Sequence, residues 1–484
     1  MNYKMMGRFH ALILTIETVF MLPALIISMT EGAKPATKAF AISMILTAFF
    51  AALLAILTKG AKRDFYAREG LICVGSSWVV ISLFGSLPFF LSGEIPRFID
   101  ALFEIVSGFT TTGASIVANV EGLSKGILYW RSFSHWLGGM GVLVFLLALL
   151  PVGGKNEGFT LHLFRAESPG PEVGKLVPSL RKTARMLYLT YIALTVLNFI
   201  LLVAGRMPVF DALCTTFGTA GTGGFGVKND SLASYSPYIQ NVTTVFMLLF
   251  GINFSCYYLL LLRKAKAVVK DEELKLYFGL VLGAIALIAI NTHQMFAATG
   301  ETLRHAAFQV ASIITTTGFA TTNFDLWPSF SKTILLMLMV VGACAGSTGG
   351  GIKCARVLIL FKNLRRNISR ILRPKQVQVV RVSGKTVDEQ TLSNTGAYLS
   401  AYIIIIIVSV LLLSLDGLSF ESNFSAVLAC FNNIGPGFDA VGPVCNYALY
   451  STFSKIVLIL NMLAGRLEIF PILILFNFHA WRKS

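Results

Sequence analysis

Charge is what this chain has least of. Only 13% of its 484 residues are Asp, Glu, Lys or Arg, against about 25% in a soluble protein. A chain so poor in charge cannot cover several soluble cores, and its hydrophobicity excludes disorder. Acids are scarcer than bases, 24 against 40. Glu17, Glu104 and the six scattered His form no acid/base cluster, which excludes a recognisable enzyme. The seven Cys are an odd number, and Cys73, Cys256 and Cys344 lie inside apolar runs. None has metal-ligand spacing, so the cysteines read as reduced core thiols rather than as a disulfide or metal scaffold. No long polar segment is present either; 151–185 is the longest candidate.

What fills the chain is hydrocarbon. Apolar residues make up 55%, and the mean hydropathy is +0.72. The net charge of +16 does not mark a nucleic-acid binder, because the basic residues cluster in short gaps between apolar runs. A membrane helix needs roughly 20 apolar residues. Ten segments meet or approach that: 9–30, 39–57, 71–91, 132–151, 186–204, 242–262, 276–298, 332–361, 397–415 and 453–478. The first is too long for a signal peptide and lacks its cleavage site, so it reads as a retained helix. With both termini in the cytoplasm, 27 of the 40 Lys and Arg fall on the inner side, as the positive-inside rule expects. Lys34, Lys38, Arg97, Lys125, Arg131, Arg206, Lys228, Arg304, Lys332 and Lys455 are then outside.

Four outer connections are more than loops. Each holds a short apolar stretch ending in a Gly/Thr-rich turn: 100–113, 211–224, 305–318 and 424–437. In the first three a polar residue (Asp100, Asp211, His305) and an Ala precede the final Gly by thirteen and twelve places. Phe424 and Ser425 hold those places in the fourth. Twelve helical residues rise about 18 Å, which crosses only part of a hydrocarbon core of about 30 Å. Each stretch therefore enters from outside, stops midway and returns as extended chain, which survives there only when buried or facing water. Four such units can close a ring around one axis.

That ring suits a monovalent cation. Backbone carbonyls from four loops can replace a water shell, glycines allow the dihedrals that turn them inward, Thr hydroxyls add acceptors, and the negative ends of four helices point at the centre. The candidate lining is Thr111, Thr112 and Gly113; Thr222, Gly223 and Gly224; Thr316, Thr317 and Gly318; and Gly435, Pro436 and Gly437. The eighth segment is broken by Gly342-Ala-Cys-Ala-Gly-Ser-Thr-Gly-Gly-Gly351. Glycine costs about 1 kcal/mol relative to Ala in a helix, so a flexible loop is expected mid-span, in the third repeat only; close packing through small residues is the competing reading. Gly346, Ser347, Thr348, Gly349, Gly350 and Gly351 are the gate candidates. Arg466, in the middle of the last segment, costs at least ~2.5–3.5 kcal/mol in a membrane and is expected to face the pathway or pair with a carbonyl or acid. Lys353 is a further gate candidate that can instead snorkel to the inner surface. Gly221-Thr-Gly-Gly-Phe-Gly226 fits a dinucleotide fingerprint and 346–353 resembles a Walker loop, but neither has the required surroundings.

Four helix–pore loop–helix units in one chain resemble the Trk/Ktr/HKT superfamily of potassium transporters. The extra helices at 9–57, Thr-Thr-Thr-Gly at 110–113 and 315–318, and Asn-Asn-Ile-Gly-Pro-Gly at 432–437 resemble its TrkH/TrkG branch. The resemblance implies an all-α integral membrane fold, with four M1–pore-loop–M2 repeats around a pseudo-fourfold pore plus two N-terminal transmembrane helices. The divisions are 1–68 for the helix pair, then 69–154, 155–265, 266–392 and 393–484 for the repeats. It implies potassium uptake across a bacterial inner membrane without a cofactor, a gating loop at 342–351, and an Arg at 466 lining the pathway near that loop. It also implies a homodimer and a TrkA-like nucleotide-binding regulatory subunit, docking on basic loops 151–185 and 362–394. A secondary transporter of a small organic solute is the alternative, although its repeats are usually inverted.

Overall fold

The computed structural model describes residues 2–61, 67–139, 141 and 180–481. Helices α1 (Tyr3–Glu31) and α2 (Lys34–Leu57) form an antiparallel hairpin. It turns at Gly32, whose φ of 76° closes α1 in the left-handed C-cap conformation that glycine tolerates. On α2 the hydroxyls of Ser43 and Thr47 donate to the carbonyls four residues back, each at 2.7 Å, which satisfies them without water.

The rest of the chain follows a repeated order. First come α3 (Ala67–Gly85), α4 (Leu87–Leu91), α5 (Phe98–Phe109) and α6 (Lys125–Gly139). Then α7 (Leu180–Ala204), α8 (Val209–Gly221), α9 (Pro237–Phe250), α10 (Phe254–Leu261) and the short α11 (Ala265–Val269). Next are α12 (Glu272–Thr292), α13 (Thr299–Ile314), α14 (Ser329–Val341) and α15 (Cys354–Leu372). A small hairpin, β1 (Arg381–Val382) paired antiparallel with β2 (Lys385–Thr386), precedes α16 (Glu389–Leu413). The chain closes with α17 (Phe420–Phe431), α18 (Thr452–Arg466) and α19 (Phe470–Leu475). The starts are written in the sequence: Asp271 caps α12 by accepting from Leu274 N at 3.0 Å, and Ser419 caps α17 through Ser422 N at 3.1 Å.

Among the described residues six helical segments are long and apolar enough to cross a membrane: Tyr3–Glu31, Lys34–Leu57, Arg68–Leu91, Ala184–Ala204, Glu272–Met295 and Glu389–Asp416. The others depart from continuous spans. Segment 132–151 begins earlier, at Lys125, and its helix is described to Gly139; its end, and 151–179 of the inner loop, lie outside the described residues. Segment 332–361 stops at Val341 and resumes at Cys354.

Two expected spans are corrected, so a break is not confined to the third repeat. Segment 242–262 bends by 88° between Phe250 and Phe254. The bend holds because the freed backbone groups find partners: Gly251 O accepts from Cys344 N at 3.1 Å and Phe254 N donates to Gly346 O at 3.0 Å. Asn253 restarts the helix by accepting from Ser255 N at 2.9 Å. Segment 453–478 breaks after Arg466, where Glu468 and Ile469 take φ of 58° and 69°.

Packing is cyclic. Four helix pairs close on themselves: α6 lies on α8, α9 on α13, α14 on α17, and α18 back on α5. Within α6 the Phe133 ring stacks on Trp136 with centroids 5.6 Å apart, and across to α8 it meets Phe217 edge-on at 5.2 Å, a geometry favoured by the ring quadrupoles.

Candidate functional site

The four short helices α5, α8, α13 and α17 end in the same way. A backbone N–H reaches back five residues at 2.8 Å in each: Thr112 to Ser107 O, Gly223 to Gly218 O, Thr317 to Ser312 O and Ile434 to Ala429 O. The residue before it bonds three back: Thr111 to Gly108 O, Thr222 to Thr219 O, Thr316 to Ile313 O and Asn433 to Cys430 O, at 3.1–3.3 Å. This is the Schellman pattern, which requires a left-handed residue after the helix. Thr111, Thr222, Thr316 and Asn433 supply it, with φ of 56°, 54°, 57° and 55°. A β-branched Thr is a genuine outlier there, and such backbone costs roughly 1–3 kcal/mol per residue, a strain that collects at functional sites.

Two residues on, Gly113, Gly224, Gly318 and Gly435 are again left-handed, at 79°, 79°, 87° and 96°. Their neighbours close a circle. A methyl group on Gly113 would strike Gly223 O; on Gly224, Thr317 O; on Gly318, Ile434 O; and on Gly435, Thr112 O at 2.7 Å. Each loop therefore sets its glycine against a carbonyl of the next, and the fourth returns to the first. Thr112 and Thr317 hydroxyls brace their own helix ends through Thr110 and Thr315 at 2.7 and 2.8 Å.

The fourth loop corrects the expected register. Its ring residues are Asn433, Ile434 and Gly435. Gly437 lies outside the circle: its N–H donates to Val441 O at 2.7 Å, and a methyl group there would meet Ser425 and Val441. Pro436 lines a cavity at the mouth of the circle with the four ring glycines. The polar residue thirteen before the ring glycine is thus Ser422, matching Asp100, Asp211 and His305. Its hydroxyl donates to Asp439 at 2.6 Å, and the Ser419 and Ser422 hydroxyls hold the Asp439 carboxyl below the usual range.

The loop between α14 and α15 lies directly beneath the circle. Gly350 donates its N–H to Thr316 Oγ1 at 2.6 Å, and a methyl group on Gly350 would strike Asn432 O. Gly349 has no more room: Thr315 O lies 2.9 Å from where its methyl would sit. On the other side, Thr348 Oγ1 donates to Phe250 O at 3.3 Å, Ser347 Oγ to Cys344 O at 2.6 Å, and Glu273 Oε1 accepts from Ala345 N at 2.6 Å and Ala355 N at 3.1 Å. Gly346 and Gly351, at φ 67° and 79°, allow the turns. Arg466 reaches in from the end of α18. It donates to Thr348 O at 2.8 Å, to Gly139 O at 2.8 Å and to Gly138 O, joining the loop to α6. Lys353 does not snorkel; it is 2% exposed and its Nζ donates to Gly349 O.

The profile of the TrkH family, described as cation transport protein, matches residues 36–480. The chain belongs to the TrkH family of cation transport proteins. Its relatives include the Trk system potassium uptake protein TrkH of Salmonella typhimurium, 36% identical over 455 residues and 93% of each chain. The Trk system potassium uptake protein TrkG of Escherichia coli is 34% identical over 432 residues and 88% of each. Among solved structures, the potassium transporter TrkH from Vibrio parahaemolyticus superposes with a TM-score of 0.88 at 31% identity, covering all of both chains. Members of this family are ion transporters and not enzymes.

Several residues of this TrkH-family site carry no glycine signal. Asn433 Nδ2 ties loop four to loop one through Thr112 Oγ1 at 2.9 Å. His135 bridges Gly108 O, 2.8 Å from Nδ1, and Phe225 N, 3.2 Å from Nε2; a carbonyl only accepts and an amide only donates, so Nδ1 carries the proton. Arg131, placed outside by its charge, is 3% exposed. It pairs with Glu104 at 2.5 Å, donates to Gly226 O at 3.0 Å and Ser115 Oγ at 3.1 Å, and stacks 3.6 Å over the Phe225 ring. A charged residue inside each of two apolar helices was the available signal for that pair. Of the seven cysteines six are buried, whereas Cys445 is exposed and lines the same mouth cavity.

Proposed function

We propose that this chain carries potassium ions into the cell across the bacterial inner membrane. The ion passes through the circle of four loops, and the 342–351 loop with Lys353 and Arg466 is the gate. One observation carries the reading: the glycine of each loop abuts a carbonyl of the next until the circle closes. Carbonyls gathered in this way can stand in for the water around a dehydrated cation. Left-handed backbone at alternate residues, with an ordinary residue between, turns successive carbonyls to one side of the chain. The ends of α5, α8, α13 and α17 direct the negative poles of four helices at the same centre. The names of the relatives, potassium uptake proteins of the Trk system, support potassium as the ion.

The gate reading is supported by place and by bonding. The loop sits against the inner side of the circle, and Arg466 puts a positive charge on Thr348 O. Repeat boundaries at 69, 155, 266 and 393, cytoplasmic termini, a homodimer and a TrkA-like regulatory subunit on the basic inner loops belong to the same proposal. Reconstituted protein in potassium-loaded liposomes tests it. Rubidium uptake driven by the potassium gradient, without any organic substrate, is the expected result. Uptake of an organic solute with no alkali-metal flux would overturn it.

A further inference from the structure

Among the described residues, the carbonyl oxygens of Gly113, Gly224 and Gly318 receive no hydrogen bond, whereas that of Gly435 does. Its donor is the hydroxyl of Tyr447, at 2.7 Å. A carbonyl can only accept, so the direction is fixed. Tyr447 follows Gly435 by twelve residues and is 2% exposed. Its position is set from several sides. The backbone N–H donates to Ser115 O at 2.8 Å, on the segment leaving loop one. Its ring lies 5.7 Å from Phe103 and 6.1 Å from Tyr450, centroid to centroid. The phenol therefore holds the carbonyl; it does not visit it.

We infer that the Tyr447 hydroxyl sets the ion preference of the circle, by weakening and holding back the carbonyl of Gly435, its fourth glycine, so that potassium is favoured over sodium. This rests on the circle being the ion filter. An oxygen that already accepts from a phenol carries less negative charge toward the axis and cannot move freely inward. A small, strongly hydrated cation needs strong and close ligands to replace its water; a larger one is satisfied by weaker ligands further out. Both the lowered field and the restraint act against sodium. They act in one quadrant only, so the circle is unequal in chemistry although regular in backbone. Loop four also lacks the Thr-Thr-Gly of loops one and three, which makes this quadrant the natural place for a separate control.

The test is the ratio of sodium to potassium flux in proteoliposomes. Tyr447→Phe keeps the ring, its packing and the backbone bond to Ser115 O, and removes only the donor. The ratio should rise about threefold to tenfold, the range set by one net hydrogen bond, with the melting temperature near wild type. Fluorinated tyrosine placed at 447 is a stronger donor of the same shape and should lower the ratio. It also decides the matter if the Phe variant fails to fold. Gly318→Ser is measured alongside. If that variant shifts the ratio while both Tyr447 replacements leave it unchanged, the inference about Tyr447 is wrong and the filter reading stands. If none of the three shifts it, the filter reading itself falls.

Discussion

Gly350 donates its backbone N–H to the hydroxyl of Thr316 at 2.6 Å. One residue belongs to the loop between α14 and α15, the other to the left-handed position after α13. The loop proposed to close the pathway is thus hung from the circle proposed to select the ion.

Thr316→Val keeps the branched shape and removes the acceptor. An unpaired buried N–H costs about 1–3 kcal/mol, and the loop loses its upper attachment. Rubidium flux without any regulatory subunit should rise in Thr316→Val and stay near wild type in Thr316→Ser. Equal flux through the two variants would show that the bond does not restrain the loop.

Arg466 fastens the loop from below through Thr348 O and fixes itself on Gly138 O and Gly139 O. Hydrogen bonds from a charged donor contribute about 1.5–3 kcal/mol each. Arg466→Ala should raise basal flux more than Arg466→Lys, because an ammonium cannot span the carbonyls with a planar fork. A drop in flux in both variants, with folding intact, would remove Arg466 from the gate.

Serine at Gly113 or Gly318 would drive a Cβ into a neighbouring carbonyl from a left-handed backbone. The oxygens must shift, so preference for potassium over sodium should fall in either variant. Paired flux measurements check this; an unaltered preference would reject these glycines as filter residues.

Cys445 is the exposed cysteine among seven and stands at the mouth of the circle, on the side proposed to face outward. A cationic methanethiosulfonate added outside should attach there and slow rubidium uptake, and Cys445→Ser should be insensitive. Undiminished uptake in fully labelled wild-type protein would place the mouth elsewhere.

Glu104 and Arg131 form an ion pair exposed by 0% and 3%. Glu104→Gln leaves the guanidinium buried without its counter-charge, at about 3–5 kcal/mol. A clear fall in melting temperature in detergent is expected, largely restored in the double variant Glu104→Gln, Arg131→Met. A single variant as stable as wild type would show that the carbonyl of Gly226 and the Ser115 hydroxyl suffice for Arg131.

Much of this arrangement is legible in the residues, and the failures have physical causes. Three turns of glycine and threonine, and a fourth of asparagine and glycine, mark the loops, because glycine alone reaches φ near 80° without strain. The register of the fourth was ambiguous because Gly435-Pro436-Gly437 offers two glycines, and only contact with Thr112 and Ile434 tells them apart. The left-handed Thr111, Thr222 and Thr316 could not be read from composition, since local preference argues against them and the ring imposes them. The 88° bend at Gly251 hides in continuous hydrophobicity, and its partners sit almost a hundred residues away in the loop after α14. Lys353 looked able to reach water; a carbonyl within its own loop captures it first.

The closure of α18 on α5 has a consequence for synthesis. Lys455 meets Asp100 at 2.8 Å across 355 positions of chain. While the ribosome is still adding the last quarter, the opening helix of the circle faces the bilayer with its partner unmade. A nascent chain arrested before that point carries an unsealed polar notch among the lipids, open to membrane chaperones and proteases. Completion of the final hundred or so residues is therefore the step that turns a vulnerable crescent into a finished conduit.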